Sequence, residues 1–355
     1  MLYKSPLHEM SQTTPTMFWN DNCAPEDIKF AIEHGCVGAT TNPVIVGQVL
    51  EADLDTYVPV IKEFIAQNPF STEDEIAWLV NEKMAVDGAK LLYPIFMETG
   101  GRTGFISIQT NTKYYKNYEK LAAQAKHFSG LAKNIMVKIP ATAAGITAIE
   151  ESTYQGVNVN ATISFSVSQA LAVAEAIKRA MERRAAEGLD NSFLHPVCTI
   201  MVGRVDDWLH EVCEAEDITV DPNAIVMAGV AVFKHAYQIY KKRGYHTQLL
   251  SAAYRHHHHW SEFIGGNVSQ TIPPMWIRRF VNSSITVENR MDNPVDPKLL
   301  DQLKKQMPEF LKVYEEDGMM LDEFDHYGAT RRTLMQFFSG YDKMVNIVRK
   351  IMIEA

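Results

Sequence analysis

One lysine stands inside an apolar run. From Ile135 to Pro140 every residue is apolar except Lys138, and β-branched residues flank it. The run is short, and Pro140 has no N–H with which to continue a ladder, so the stretch reads as a buried strand. Burial disfavours an ammonium ion, and an amine held neutral is a nucleophile toward carbonyl carbon, the first step of Schiff-base chemistry. The plainer reading is a lysine that carries its charge to the strand end and pairs with a carboxylate there.

Other polar residues fall at the ends of strand-like segments. Thr16–Asp21, Cys36–Pro43, Gly104–Thr110, the lysine strand, Val157–Ile163, His195–Val202, Tyr245–Ala253 and Asn267–Ile272 read as eight strands. Between them lie helical stretches, including Ala24–Ile32, Val44–Leu92, Tyr115–Leu131, the segment after Ala141, Val167–Ala186 and Ala231–Lys242. Alternation of this kind predicts an α/β fold, a (β/α)₈ TIM barrel, with additional C-terminal helices. A doubly wound sheet is the structural alternative, but its glycine fingerprint for phosphate is absent from the sequence. The chain reads as a single TIM-barrel domain over residues 1–355, with the barrel at about 16–290 and a helical appendage at about 295–355.

In such a barrel the carboxyl ends of the strands share one mouth. Asp21, Asn42, Gln109, Lys138, Asn160, Thr162, Thr199 and Arg255 would gather there, with Arg204 just beyond the sixth strand. Each has an ordinary reading too. Asp21 could cap a helix, Asn42 could serve a turn before Pro43, and Asn160 and Thr162 could be bonded core polars. The arginines could form surface ion pairs. Their shared position is what favours a site.

These stretches resemble transaldolase. The matching segments are Asp21 before a helix, Ala39-Thr-Thr-Asn-Pro43, Ile135–Thr142 with Gly145-Ile, and Gly156–Ser166 leading to Gln169–Ala176. Val202-Gly-Arg-Val-Asp-Asp-Trp208 and Tyr240–Tyr245 with Ala253-Tyr-Arg255 complete the set, in family order from Asp21 to about Pro274. The resemblance implies that Lys138 forms the imine and Asp21 is the general acid/base. It implies that Thr162 helps hold a catalytic water, that Asn42 and Asn160 hold substrate hydroxyls and the enamine, and that Arg204 and Arg255 bind phosphate. The substrates would be phosphorylated sugars, with no cofactor and no metal.

Four positions depart from that pattern. Gln109 stands where a water-orienting glutamate is usual. Thr199 and Met201 replace a serine and a phenylalanine on the sixth strand, and Ala253 replaces a phosphate-site serine. Gln109 resembles the fructose-6-phosphate aldolases, which makes aldolase-type cleavage the near alternative. A non-catalytic sugar-phosphate-binding barrel is the alternative of a different class.

Composition bounds the rest. The net charge of −9 argues against a nucleic-acid partner while permitting a local cationic pocket. Cys23, Cys36, Cys198 and Cys213 lack CxxC spacing and suit a reducing compartment. The amino-terminal residues have no secretory pattern and no apolar run spans a bilayer, so the expectation is a cytoplasmic protein without a membrane partner. A homo-oligomer remains open. The run His256-His-His-His259 offers imidazoles three apart, as in some metal sites. With no carboxylate or cysteine read at ligand spacing, it is taken as a polar helix start after Arg255.

Overall fold

In the computed structural model, which describes residues 2–354, eight parallel strands close into a barrel in sequence order. They are β1 (Met17–Asn20), β2 (Gly38–Thr40), β3 (Phe105–Gln109), β4 (Ile135–Pro140), β5 (Val159–Ser164), β6 (Val197–Ile200), β7 (Gln248–Ser251) and β8 (Ser269–Ile272). Ahead of them runs α1 (Pro6–Thr13), and α2 (Pro25–Glu33) joins β1 to β2. Three helices, α3 (Pro43–Ala52), α4 (Leu54–Gln67) and α5 (Glu73–Glu98), fill the long connection to β3. The crossovers continue with α6 (Tyr118–Ser129), α7 (Ala143–Tyr154), α8 (Val167–Ala186), α9 (Val202–Ala215), α10 (Pro222–Arg243) and the short α11 (His258–Ser261). After β8 come α12 (Pro274–Val281), α13 (Pro297–Gln306), α14 (Pro308–Tyr314) and α15 (Gly328–Glu354). The chain is a (β/α)₈ barrel with added C-terminal helices.

Local chemistry accounts for the boundaries. Thr142 and Ser166 accept the N–H groups of Gly145 and Gln169 and so start α7 and α8. Thr72 and Glu75 form a reciprocal capping box at α5. Asp221 and Pro222 begin α10 and Gly244, at φ 63°, ends it. The sequence pattern places that helix nine residues too late and gives no helix for Val202–Ala215, although Val202, Val205, Leu209 and Val212 lie at helical spacing and only Asp206 enters that face.

Side chains alternate across each strand. Ile106, Ile108, Ile135, Val137, Ile139, Val159, Ala161, Cys198, Ile200 and Leu249 join the core between barrel and helices. The opposite set points inward and divides into two levels. Trp19, Phe105, Met136, Val197, Leu250 and Ala252 form an apolar plug. Gly38 makes room for it, since a Cβ there would lie 2.6 Å from Trp19 Cδ2. Above the plug the inward residues turn polar.

The C-terminal helices belong to the architecture of the mouth. α15 packs along α3, α4 and α5 and also meets α9 and β5. Just ahead of it, Asp325 accepts the N–H of Ala143, 2.8 Å away, at the first turn after β4.

Candidate active site

Lys138 is 3 % exposed, and its Nζ donates to the Thr41 carbonyl at 3.1 Å. The preceding residue, Thr40, donates its hydroxyl to Asp21 Oδ1 at 2.7 Å. Two consecutive residues at the carboxyl end of β2 therefore hold the amine and the carboxylate. Burial pushes the Lys138 pKa down to about 8; Asp21 opposes that fall and Arg204 adds to it. The Asp21 carboxyl is pushed above its ordinary value by burial, against the pull of Lys138, Thr40 and Arg204. Asp21 caps no helix, since the N-cap of α2 is Ala24. Lys138 does not reach a strand end to pair with a carboxylate: its hydrogen bond is to a carbonyl inside the barrel.

The neighbouring strands bring Gln109 and Asn160 level with the lysine. Gln109 is the Cα partner of Lys138 across β3 and β4, and Asn160 its partner across β4 and β5. Asn160 is fully buried, donating to Ser107 Oγ at 3.1 Å and accepting from Thr199 Oγ1 at 2.7 Å. Thr199 thus supports Asn160 rather than presenting a free hydroxyl. The Oγ1 of Thr162 and the Oε1 of Gln109 are buried without a hydrogen-bond partner. Between Ala161 and Ser164 the ladder to β6 slips, so that two residues of β5 oppose Thr199 alone. Ile163 adopts φ 52° there, a costly conformation for a β-branched residue. Asn42 caps α3, its side-chain oxygen accepting from Val44 and Ile45. That commitment leaves its amide N–H groups as what it can offer a ligand.

Arg204 and Arg255 lie on one rim. Arg204, in the first turn of α9, donates to Thr333 at 3.3 Å and to Gln336, both on α15. Burial and the adjacent Arg255 lower its pKa to about 10, and its Nε is buried without a partner. Arg255 follows β7 and grips Asp207 with two nitrogens, Nε at 2.9 Å and Nη2 at 2.6 Å. Arg332 of α15 approaches the same carboxylate at 3.8 Å and pairs with Glu211 at 2.8 Å. Arg255 and Arg332 thus both approach Asp207, and Arg204 lies close enough to feel the charge of all three, a cationic cluster suited to a small anion.

The histidine run opens the short helix α11 after Arg255, with one of its imidazoles turned into the protein. His259 is fully buried, and Asp206 of α9, distant in sequence, brings a carboxylate to it. Its Oδ2 lies 3.2 Å from His256 Nε2 and 2.9 Å from His259 Nε2.

Sequence reasoning overlooked Thr40, Thr41, Asp206, Asp207 and Arg332. The first four sit inside the motif stretches already singled out, where neighbouring residues drew the attention. For Arg332 no local signal exists, since only the return of α15 brings it to the mouth.

The family model described as transaldolase/fructose-6-phosphate aldolase matches residues 18–326. A protein named transaldolase 2 from Streptomyces avermitilis is 32 % identical over 207 residues, covering 58 % of this chain and 55 % of that protein. The match thus spans little more than half the length of that relative. A transaldolase from Arthrobacter sp. is 31 % identical over 216 residues, covering 60 % of this chain and 57 % of its own. A transaldolase from Trichodesmium erythraeum is 27 % identical over 320 residues, covering 78 % of this chain and 82 % of its own. The matched region ends just before α15. No helix among the described residues is long and apolar enough to cross a membrane.

Proposed function

The chain belongs to the transaldolase/fructose-6-phosphate aldolase family, and on that premise we propose that it transfers a dihydroxyacetone unit between phosphorylated sugars through a Schiff base on Lys138. The observation that carries this reading is the buried Lys138 amine, shifted to about 8 and coupled to a carboxyl group raised by burial. Such an amine has a usable neutral fraction near pH 7, and such a carboxyl can exchange protons closer to neutrality than a solvated one.

In this mechanism the neutral amine adds to the ketose carbonyl and loses water to give the protonated imine. Asp21 then takes the proton of the β-hydroxyl. The bond between the α and β carbons breaks, its electron pair moves into the iminium, and an aldose phosphate leaves. The remaining enamine attacks the carbonyl of an acceptor aldose phosphate, and Asp21 returns the proton to the new hydroxyl. Water releases the product and restores the amine. Asn160, level with Lys138, is suited to hold the enamine oxygen, and Asn42 can donate to substrate hydroxyls. Thr162 has an uncommitted oxygen and Gln109 a free carbonyl, which suits them to position the water. Arg204 and Arg255 hold the phosphate, with Arg332 adding charge.

The test is borohydride reduction during exposure to fructose 6-phosphate. The peptide carrying Lys138 should gain a dihydroxyacetone-derived mass, and Lys138→Arg should gain none, because a guanidinium stays protonated. Labelling confined to another lysine would refute the assignment. Gln109 favours a second reading, aldolase-type release of free dihydroxyacetone, since an amide can orient water but cannot accept its proton.

A further inference from the structure

We propose that His259, held by Asp206, is a positioning residue that fixes Arg255 for phosphate binding. The inference rests on the phosphate role of Arg255 given above.

Arg255 lies on an irregular segment between β7 and α11, where no ladder partner is available for its backbone N–H. Two residues earlier Ala253 sits at φ 66°, in the left-handed region. The segment lies hard against α9: a Cβ on Gly203 would come within 1.8 Å of the Ala253 carbonyl oxygen and 2.9 Å of Arg255 Cγ. Here the backbone N–H of Arg255 donates to Nδ1 of His259 at 3.1 Å.

That bond determines the tautomer. A ring nitrogen that accepts carries no proton, and a neutral imidazole has only one, so the proton of His259 is on Nε2. Nε2 lies 2.9 Å from Asp206 Oδ2 and donates to it. Burial lowers the pKa of His259 and so keeps the ring neutral. The other oxygen of Asp206 accepts the Gly229 N–H of α10 at 2.8 Å. Asp206 thus ties α10 to the imidazole, the imidazole holds the Arg255 backbone, and Asp207, the next residue on α9, holds the guanidinium.

The same geometry weighs against a metal. Asp206, His256 and His259 offer ligand atoms within 4.8 Å of one another. Binding a cation through His259 Nε2 would move the proton to Nδ1, where it would face the N–H of Arg255. Ligating histidines normally donate through their second nitrogen, whereas this one accepts. An exposed arginine loses conformational entropy when it closes on an anion. Fixing its backbone beforehand lowers that loss, so the effect belongs to affinity for phosphate rather than to the rate of bond breaking.

Asparagine at position 259 can imitate Nδ1 as an acceptor, and glutamine can imitate the Nε2–H donor. In the full-length protein, His259→Gln should weaken inorganic phosphate binding about tenfold, the scale of one hydrogen bond. KM for fructose 6-phosphate should rise by a similar factor, kcat should stay within about twofold, and unphosphorylated dihydroxyacetone should be handled as before. His259→Asn should recover most of the phosphate affinity. Side-chain ¹⁵N spectra of the wild type should show His259 protonated at Nε2 alone, a readout that does not depend on either variant folding. Asp206→Asn, whose amide can turn its N–H toward Nε2, should shift the proton to Nδ1 and weaken phosphate binding as His259→Gln does.

Unchanged phosphate affinity in His259→Gln, equal losses in both His259 variants, or a loss confined to kcat would overturn the inference. So would a wild-type spectrum with Nε2 unprotonated, or stoichiometric zinc bound at that nitrogen. If the wild type itself binds no inorganic phosphate, the role given to Arg255 falls, and this inference with it. Phosphate bound by the wild type and equally by His259→Gln defeats the positioning role alone.

Discussion

Gln109 and Lys138 are Cα partners across β3 and β4, and the Gln109 carbonyl is buried without a hydrogen bond while its amide nitrogen lies 3.3 Å from Thr112. A free acceptor beside the amine can orient a water but cannot take its proton. Positioned acid/base groups contribute about 10²–10⁴-fold, so this position bears directly on the balance between transfer and release. With fructose 6-phosphate, sedoheptulose 7-phosphate is expected only when erythrose 4-phosphate is present, with little free dihydroxyacetone. Gln109→Glu should shift the balance further toward transfer. Rapid dihydroxyacetone release by the wild type without acceptor would assign it to the aldolase branch.

The pH dependence of imine formation follows from the lysine. Its pKa of about 8 predicts that borohydride trapping rises with pH up to that region and then levels. Asp21 raises this pKa, so Asp21→Asn should move the rise to lower pH even as turnover falls. A rise near the ordinary lysine value of 10.5 in the wild type would contradict the buried setting. The linked effect on stability has a defined sign. Between about 8 and 10.5 the unfolded chain holds the proton that the folded amine has lost, so this group makes the fold more stable as pH rises through that window.

Arg204→Ala should lower kcat/KM for phosphorylated donors by about one to two decades, on the scale of roughly 1.5–3 kcal/mol for a hydrogen bond to a charged group. Unphosphorylated dihydroxyacetone should be little affected. Equal losses on both substrate types, measured side by side, would remove the phosphate role.

Gly38→Ala should destabilise the barrel by about 1–3 kcal/mol, the usual cost of overpacking. The added Cβ would stand 2.6 Å from Trp19 in the plug beneath the lysine. Urea unfolding of the two proteins measures the difference, and an unchanged midpoint would show that the indole can move aside.

Chelation separates the Schiff-base reading from a metal-dependent aldolase. Activity is expected to survive EDTA in full, because the mechanism proposed for Lys138 and Asp21 draws on no cation. Loss on chelation with recovery on adding zinc would favour the metal route.

The chain order of the strands, the buried lysine and the polar residues at strand ends were legible in the sequence. The reason is local: period-two burial, short β-branched runs and capping residues are written within a few positions of one another. Lys138 was conspicuous because a single charge in an apolar strand conflicts with its surroundings. The helix Val202–Ala215 was less legible despite the helical spacing of Val202, Val205, Leu209 and Val212, because it follows the sixth strand directly with no capping side chain to mark its start.

Partnership was decided only by the closed barrel. Asp21, Thr40 and Lys138 are far apart along the chain, and ring closure converts them into one hydrogen-bonded and electrostatically coupled group. Thr199 has the composition of a substrate contact, and only the pairing of β5 with β6 brings its hydroxyl to Asn160. His259 reads in sequence only as part of a polar helix start, and the approach of α9 buries it against Asp206. Residue types and their order along the chain are local information. Which nitrogen carries a proton, and which arginine shares an aspartate, depend on distances set between segments that the sequence leaves far apart.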